Sequence, residues 1–149
     1  MQLTKILAQM GATISLALLV GCSGAGGPAF SPKAPEPGTA LVYFYRVERS
    51  IGAVVKLHLS VNGTRVAMVT NGGYYDYSTP PGNVTFSTRL KMGAFSWFNS
   101  LIQGERELLT VNVQAGETKF VRFNVVGATA VLVPNSVGME QIQGLRRFE

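Results

Sequence analysis

Val55-Lys56-Leu57-His58-Leu59-Ser60-Val61-Asn62-Gly63-Thr64-Arg65-Val66-Ala67-Met68 carries the pattern on which the fold turns. Val55, Leu57, Leu59 and Val61 alternate with Lys56, His58 and Ser60, and a period of two is that of a strand with one buried face. Asn62-Gly63 follows at once. Both positions of a two-residue type I′ turn need positive φ, which this pair tolerates best. A hairpin closed there sets Ser60 opposite Arg65, Leu59 opposite Val66, His58 opposite Ala67 and Leu57 opposite Met68, with the leucines on the core face and His58 on the wet one.

The same period runs outward in both directions. Ala40 to Arg46 is β-branched and aromatic on both faces, the composition of a central strand. Asn71-Gly72-Gly73 turns into Tyr74 to Thr79, and Pro80-Pro81-Gly82 turns again into Asn83 to Leu90, where Val84, Phe86 and Leu90 alternate with polar residues. These read as an antiparallel meander. Leu108 to Val113 and Thr118 to Val126 read as a further hairpin about Ala115-Gly116-Glu117, with an odd-length loop that aligns Val111 with Val121 and Leu109 with Phe123. Thr129 to Val133 is a last strand, and Ser136 to Gln143 a short C-terminal helix weakened by Gly138. About eight short strands punctuated by Gly and Pro predict an all-β domain, an antiparallel β-sandwich or open barrel.

One stretch breaks the period. In Met92 to Gly104, Phe95, Phe98, Leu101 and Ile102 fall at helical spacing beside Trp97, which fits a short amphipathic helix inserted between strands. It reads as a plug over one end of the sandwich or, left exposed, as a contact for a bilayer or a partner protein.

The N-terminus has another character. Met1 to Lys5 supplies a lysine and the free amine, Ile6 to Val20 is apolar apart from Gln9 and small hydroxyls, and Leu19-Val20-Gly21-Cys22 follows. This is the layout of a secretory signal, and about fifteen apolar residues fall short of the ~20 that span a bilayer. The tetrad resembles the bacterial lipobox, in which Leu19, Val20 and Gly21 are read by the signal peptidase and Cys22 takes the lipid. Cys22 is the one cysteine of the chain, so it has no intramolecular disulfide partner. Two or three acyl chains, as the resemblance implies, make attachment lasting where a single one is reversible. Ser23 in place of aspartate implies, for Gram-negative members of this class, the outer membrane facing the periplasm. Residues 1–21 are then a cleaved signal and 22–38 a lipidated cysteine with a Gly- and Pro-rich tether. In extended polyproline II form that tether reaches up to roughly 50 Å. The β domain occupies 39–149.

A second resemblance covers most of Gly38 to Val133. Thr39-Ala40-Leu41-Val42-Tyr43-Phe44-Tyr45-Arg46, Val61-Asn62-Gly63 with Val66-Ala67, Asn71-Gly72-Gly73-Tyr74 with Pro80-Pro81-Gly82, and Val113-Gln114-Ala115-Gly116-Glu117-Thr118 together resemble a bacterial lipoprotein family whose shared domain is one of unknown function, DUF2846. The resemblance implies a lipid-anchored envelope domain and carries over no catalytic residue. Met92 to Gly104 departs from the family in being so aromatic and apolar.

Composition narrows the chemistry. The chain has 149 residues and a formal charge of +5; without Lys5 the mature part keeps twelve Lys and Arg against eight Asp and Glu, a net +4. The basic residues are dispersed and form no phosphate-tracking stripe, which argues against nucleic acid and suits weak attraction to anionic headgroups. One histidine, His58, and a cysteine committed to lipid leave no ligand set for a metal and no nucleophile-histidine pair. Glu105 and Glu107 are close in sequence but read as solvated strand-edge residues. Tyr75 and Tyr77 share one strand face and Tyr74 and Asp76 the other, so the four cannot line one pocket. The expectation is a non-enzymatic, cofactor-free envelope lipoprotein. It is held to a membrane by its anchor, and it binds or scaffolds an envelope protein or a peptidoglycan or other glycan through its β surface or its aromatic insertion. The alternative is a structural or stress-related surface module with no specific ligand.

Overall fold

The structure, a computed structural model, describes residues 24–90 and 104–149. Ten elements follow one another: β1 (Ala40–Arg46), β2 (Leu57–Val61), β3 (Thr64–Val69), β4 (Gly73–Thr79), β5 (Gly82–Leu90), β6 (Arg106–Val113), β7 (Thr118–Asn124), β8 (Thr129–Val133), α1 (Asn135–Ile142) and β9 (Arg146–Arg147). They make two sheets, ordered β8-β7-β1-β4-β9 and β3-β2-β5-β6. The architecture is the expected sandwich and not a closed barrel.

The inter-sheet core is built from alternate residues of every long strand. Val42 and Phe44 of β1, Leu59 and Val61 of β2, Phe86 of β5 and Val121 and Phe123 of β7 are all buried there. Phe44 stacks on Phe86 of the opposite sheet at 5.3 Å and on Phe123 of its own at 5.7 Å. Such ring pairs add about 0.5–1.5 kcal/mol to the gain from burial alone. β1 lies in the middle of its sheet and every one of its residues is buried, as its two-sided apolar composition requires.

The first hairpin forms where expected, with Asn62 at φ 48° and Gly63 at φ 78°. Val61↔Thr64 and Ser60↔Arg65 pair as the turn dictates, but the register then slips: Leu59 meets Ala67, His58 meets Met68 and Leu57 meets Val69. The expected pairs Leu59–Val66 and Leu57–Met68 are therefore corrected by one residue. A bulge accommodates Val66, and it turns Ala67 and Val69 into the core in place of Val66 and Met68.

Two expected pairings are also corrected. The meander does not hold, because the chain passes from β3 in one sheet to β4 in the other and then back to β5. Nor is there a hairpin at Ala115-Gly116-Glu117: β6 pairs with β5, whereas β7 pairs in parallel with β1. The alternation of Val111, Val113, Val121 and Phe123 was a true signal of inward faces, since all four are buried in the same core. In a sandwich both sheets turn inward faces to one core, so period two identifies the face and not the neighbour.

The outer face of the five-stranded sheet has its own core of Leu41, Tyr43, Tyr45, Tyr74, Phe120 and Ile142. Helix α1 covers part of it, close to the expected Ser136–Gln143. Gly138 explains the close fit: a Cβ there would come within 2.2 Å of the Phe120 ring, so the residue that weakens the helix also lets it seat on β7. Composition makes 23–38 a spacer, yet its described part lies against the domain. Gly27 N–H donates to Arg147 O (3.1 Å), Arg147 N–H to Pro28 O (2.9 Å) and Phe30 N–H to Leu145 O (2.9 Å). Phe30 supplies the apolar contact, its ring 5.4 Å from both Tyr43 and Tyr74 in edge-to-face geometry. One aromatic residue and a short edge strand, β9, are enough to hold a Gly- and Pro-rich segment in place.

Candidate functional site

At one end of the sandwich, where β1 and β7 finish and β8 begins, a cationic cleft opens between these strands and the loops that follow β1 and β7. Its floor is Arg46, the last residue of β1. Alternation continues Val42 and Phe44 inward to this position, so the side chain is only 2% exposed. Its guanidinium donates to Val55 O (Nη1, 2.8 Å) and to Gly52 O (Nη2, 2.6 Å). Burial lowers its pKa from the ordinary guanidinium value, but a guanidinium stays charged at neutral pH. Carbonyl dipoles of loop 47–56 take the place of water around the charge. In return, Arg46 pins that loop.

Arg49 and Arg122 stand on the walls. Arg49 N–H donates to Asn71 Oδ1 (3.0 Å), and Arg122 Nη1 donates to Gln141 Oε1 (3.4 Å), which also accepts from Tyr45 Oη at 2.7 Å. The cavity they enclose with Val47, Thr129 and Val131 has a volume of about 180 Å³, and no carboxylate lines it. A partly apolar concavity lined by three arginines and no acid favours an oxyanion.

Around this mouth the surface is unusually apolar. Ile51 is 75% exposed, Val54 81% and Val126 61%. They sit on two loops in mutual contact: Gly52 lies so near Val125 that a Cβ on it would come within 2.7 Å of Val125 Cγ1. Val126 is presented by a turn in which Asn124 Oδ1 accepts from Val126 N–H (3.1 Å), Val125 O accepts from Ala128 N–H (3.2 Å), and Ala128 takes φ 46°. Arg106 Nη1 reaches Gly127 O at 3.5 Å, which ties the start of β6 to the same turn.

The N-terminal segment enters the domain here as well. Ala25 N–H donates to Asn71 O (3.2 Å), so Asn71 holds the incoming chain by its carbonyl and Arg49 by its side chain. From there the segment runs along β9 to the opposite end. Near its finish Lys33 pairs with Asp76, which also accepts from Arg147 Nε at 2.6 Å. Burial by itself pushes the Asp76 carboxyl up, but the hydrogen bonds and charges of Arg147 and Lys33 outweigh it and hold the group below its ordinary value.

Leu19, Val20, Gly21 and Cys22 lie outside the described residues, as do Phe95, Trp97, Phe98, Leu101 and Ile102. β5 ends and β6 begins at the cleft end, so the chain leaves the described body there at Leu90 and re-enters at Gly104. His58 is half-buried on the outward face of β2, opposite Met68. Glu105 accepts from Ser87 Oγ (2.7 Å), and hydrogen bonds from Ser60 and Ser87 lower its pKa; Glu107 accepts from Thr110 Oγ1 (3.1 Å). Tyr74 packs in the outer core with Asp76 beside it, and Tyr75 and Tyr77 pack against the inner one, the division that strand geometry requires. Among the described residues no group of three or more His, Cys, Asp or Glu is placed to hold a metal ion, and no helix is long and apolar enough to cross a membrane. Sequence reasoning missed the arginine cleft. Its one visible signal was Arg46, a charge on the inward phase of a strand otherwise free of charge.

Comparison with known proteins gives a distant structural match and a family. The N-terminal domain of AlgF from P. aeruginosa is 21% identical with a TM-score of 0.40, the match covering 66% of this chain and 94% of that one. No curated protein matches. Residues 36–134 match the family described as a protein of unknown function, DUF2846, and at that coverage the chain belongs to it.

Proposed function

We propose that this protein is a lipid-anchored domain of the bacterial envelope, made as a precursor whose residues 1–21 are removed and whose Cys22 is acylated, and that it acts by binding or scaffolding and not by catalysis. The observation that carries the reading is the tetrad Leu19-Val20-Gly21-Cys22 after an apolar stretch too short to span a bilayer. The way the chain enters the domain supports it. Gly24 bridges to Asn71, so the anchor attaches to a folded end of the sandwich without a long free spacer. Partners of this reading are the membrane itself and an envelope protein or glycan met by the β surface. Ser23 after the cysteine favours the outer membrane facing the periplasm.

Feeding radiolabelled palmitate to bacteria that express the full chain tests the anchor. The wild type incorporates label and fractionates with membranes, and Cys22→Ala does neither. An unlabelled wild type recovered in the soluble extract overturns the reading.

A further inference from the structure

We propose that the cleft end of the sandwich is a membrane-docking surface, on which Arg49 and Arg122 receive the phosphate of an anionic lipid headgroup while Ile51, Val54 and Val126 enter the interfacial layer. This rests on the acylation of Cys22 and goes beyond it, because an anchor alone does not orient the domain.

Three independent observations converge on that end. The first is charge: the cleft is lined by three arginines and no carboxylate, and one of them, Arg46, has its guanidinium held by the carbonyls of Val55 and Gly52. Loop 47–56 adds Lys56 against the single acid Glu48, and residues 125–128 carry no charge. The second is the exposure of large aliphatic side chains on two touching loops, at 75% for Ile51, 81% for Val54 and 61% for Val126. They protrude beside a cationic cleft and do not line a groove. Apolar tips flanked by guanidinium groups suit the headgroup region of a bilayer, where aliphatic groups and phosphates lie within a few ångströms in depth.

The third is the path of the chain. Gly24 is fixed at Asn71, whose side chain holds Arg49. Two further residues lead to Cys22, and at about 3.3–3.6 Å each they keep the backbone of the acylated residue within roughly 7 Å of Gly24. The segment between Gly24 and Lys33 is bonded down along β9, so it cannot act as a long swinging arm. An acylated Cys22 thus holds this end, and not the opposite end with its Ala115-Gly116 turn, against the lipid.

The test separates docking from anchoring. The chain from residue 22 onward with Cys22→Ser keeps every described residue and lacks acyl groups. It is mixed with vesicles of phosphatidylethanolamine and phosphatidylglycerol, or of phosphatidylcholine alone, and sedimented. Binding is expected to the anionic vesicles, falling as salt rises. Arg49→Glu with Arg122→Glu should weaken it about tenfold or more, and Ile51→Ser with Val54→Ser should weaken it while preserving its salt dependence. Lys119→Glu, toward the other end of β7, should leave it unchanged, and thermal unfolding checks that each variant is folded. Equal binding to both vesicle types, or equal loss with Lys119→Glu, overturns the proposal. In the acylated full chain, a fluorophore on Val54→Cys should be quenched by brominated lipid and one on Ala115→Cys should not; the reverse pattern also overturns it. Palmitate labelling without vesicle docking refutes this inference alone, and docking by a chain that takes no palmitate refutes the anchor alone.

Discussion

The two faces of the five-stranded sheet bury comparable rows of large side chains but are covered in different ways. The inner face meets a second sheet, and its centre is aliphatic groups and the stacked phenyl rings of Phe44, Phe86 and Phe123, with Tyr75 and Tyr77 packed at its margin. The outer face meets one short helix and a strap of N-terminal chain, and its rings are mostly tyrosines. Two of them keep a polar tip bonded at the rim of the thin cover: Tyr45 Oη donates to Gln141, and Tyr43 Oη accepts from Lys33 N–H. A thick cover permits a dry core, whereas a thin one leaves positions where only a ring with a polar end is satisfied on both sides. The inner face therefore sets stability, and the outer face couples the incoming N-terminal segment to the sheet.

Substitutions can break this division. Phe44→Ala removes the ring that joins the two sheets and should cost about 3–5 kcal/mol, measured by chemical unfolding. A loss no larger than that of an outer-face truncation would make the two cores equivalent. Phe30→Ala removes the strap's one aromatic contact and should cost about 1–3 kcal/mol, since the ring is only partly buried. Its distinctive readout is faster hydrogen exchange at Gly27 and Phe30 with the inner-core amides unchanged. Asp76→Asn should have the smallest effect, about 1 kcal/mol, because Lys33 is half exposed and solvent screens its share. The pH dependence fixes its sign. A carboxyl held below its ordinary value of 3.8 in the folded protein contributes stability that is complete above that value and is lost as pH falls through the lower, folded one. The variant's deficit should therefore be full at neutral pH and shrink in acid.

Much of the inner face was legible in the sequence, and far less of the outer. Alternation in Leu57–Val61 and the Asn62-Gly63 turn are local signals, and they placed a strand and a turn correctly. Register past Arg65 was lost because a bulge at Val66 is decided by which residues fill the core, Ala67 and Val69, and not by the turn. The partners of β6 and β7 were misread for a similar reason, since neighbours are set by topology across the whole chain. The strap escaped composition entirely: a segment of Gly and Pro with one phenylalanine has no period, and its bonds go to a two-residue strand near the C-terminus. The arginine cleft joins residues from β1, its following loop and β7, which are distant in sequence.

The parallel pairing of β1 with β7 bears on how the polypeptide reaches this shape. Leu41 must wait for Thr118, and on its other edge Ala40 waits for Thr79. This fully buried strand thus emerges early from synthesis or translocation, and it gains its first neighbour only with β4 near the middle of the chain and its second only with β7. High contact order of this kind slows collapse to the final topology and leaves an adhesive strand exposed during the delay. A chain truncated before Thr118 would lack one whole flank of that strand, and its expected fate is aggregation in place of a stable partial fold.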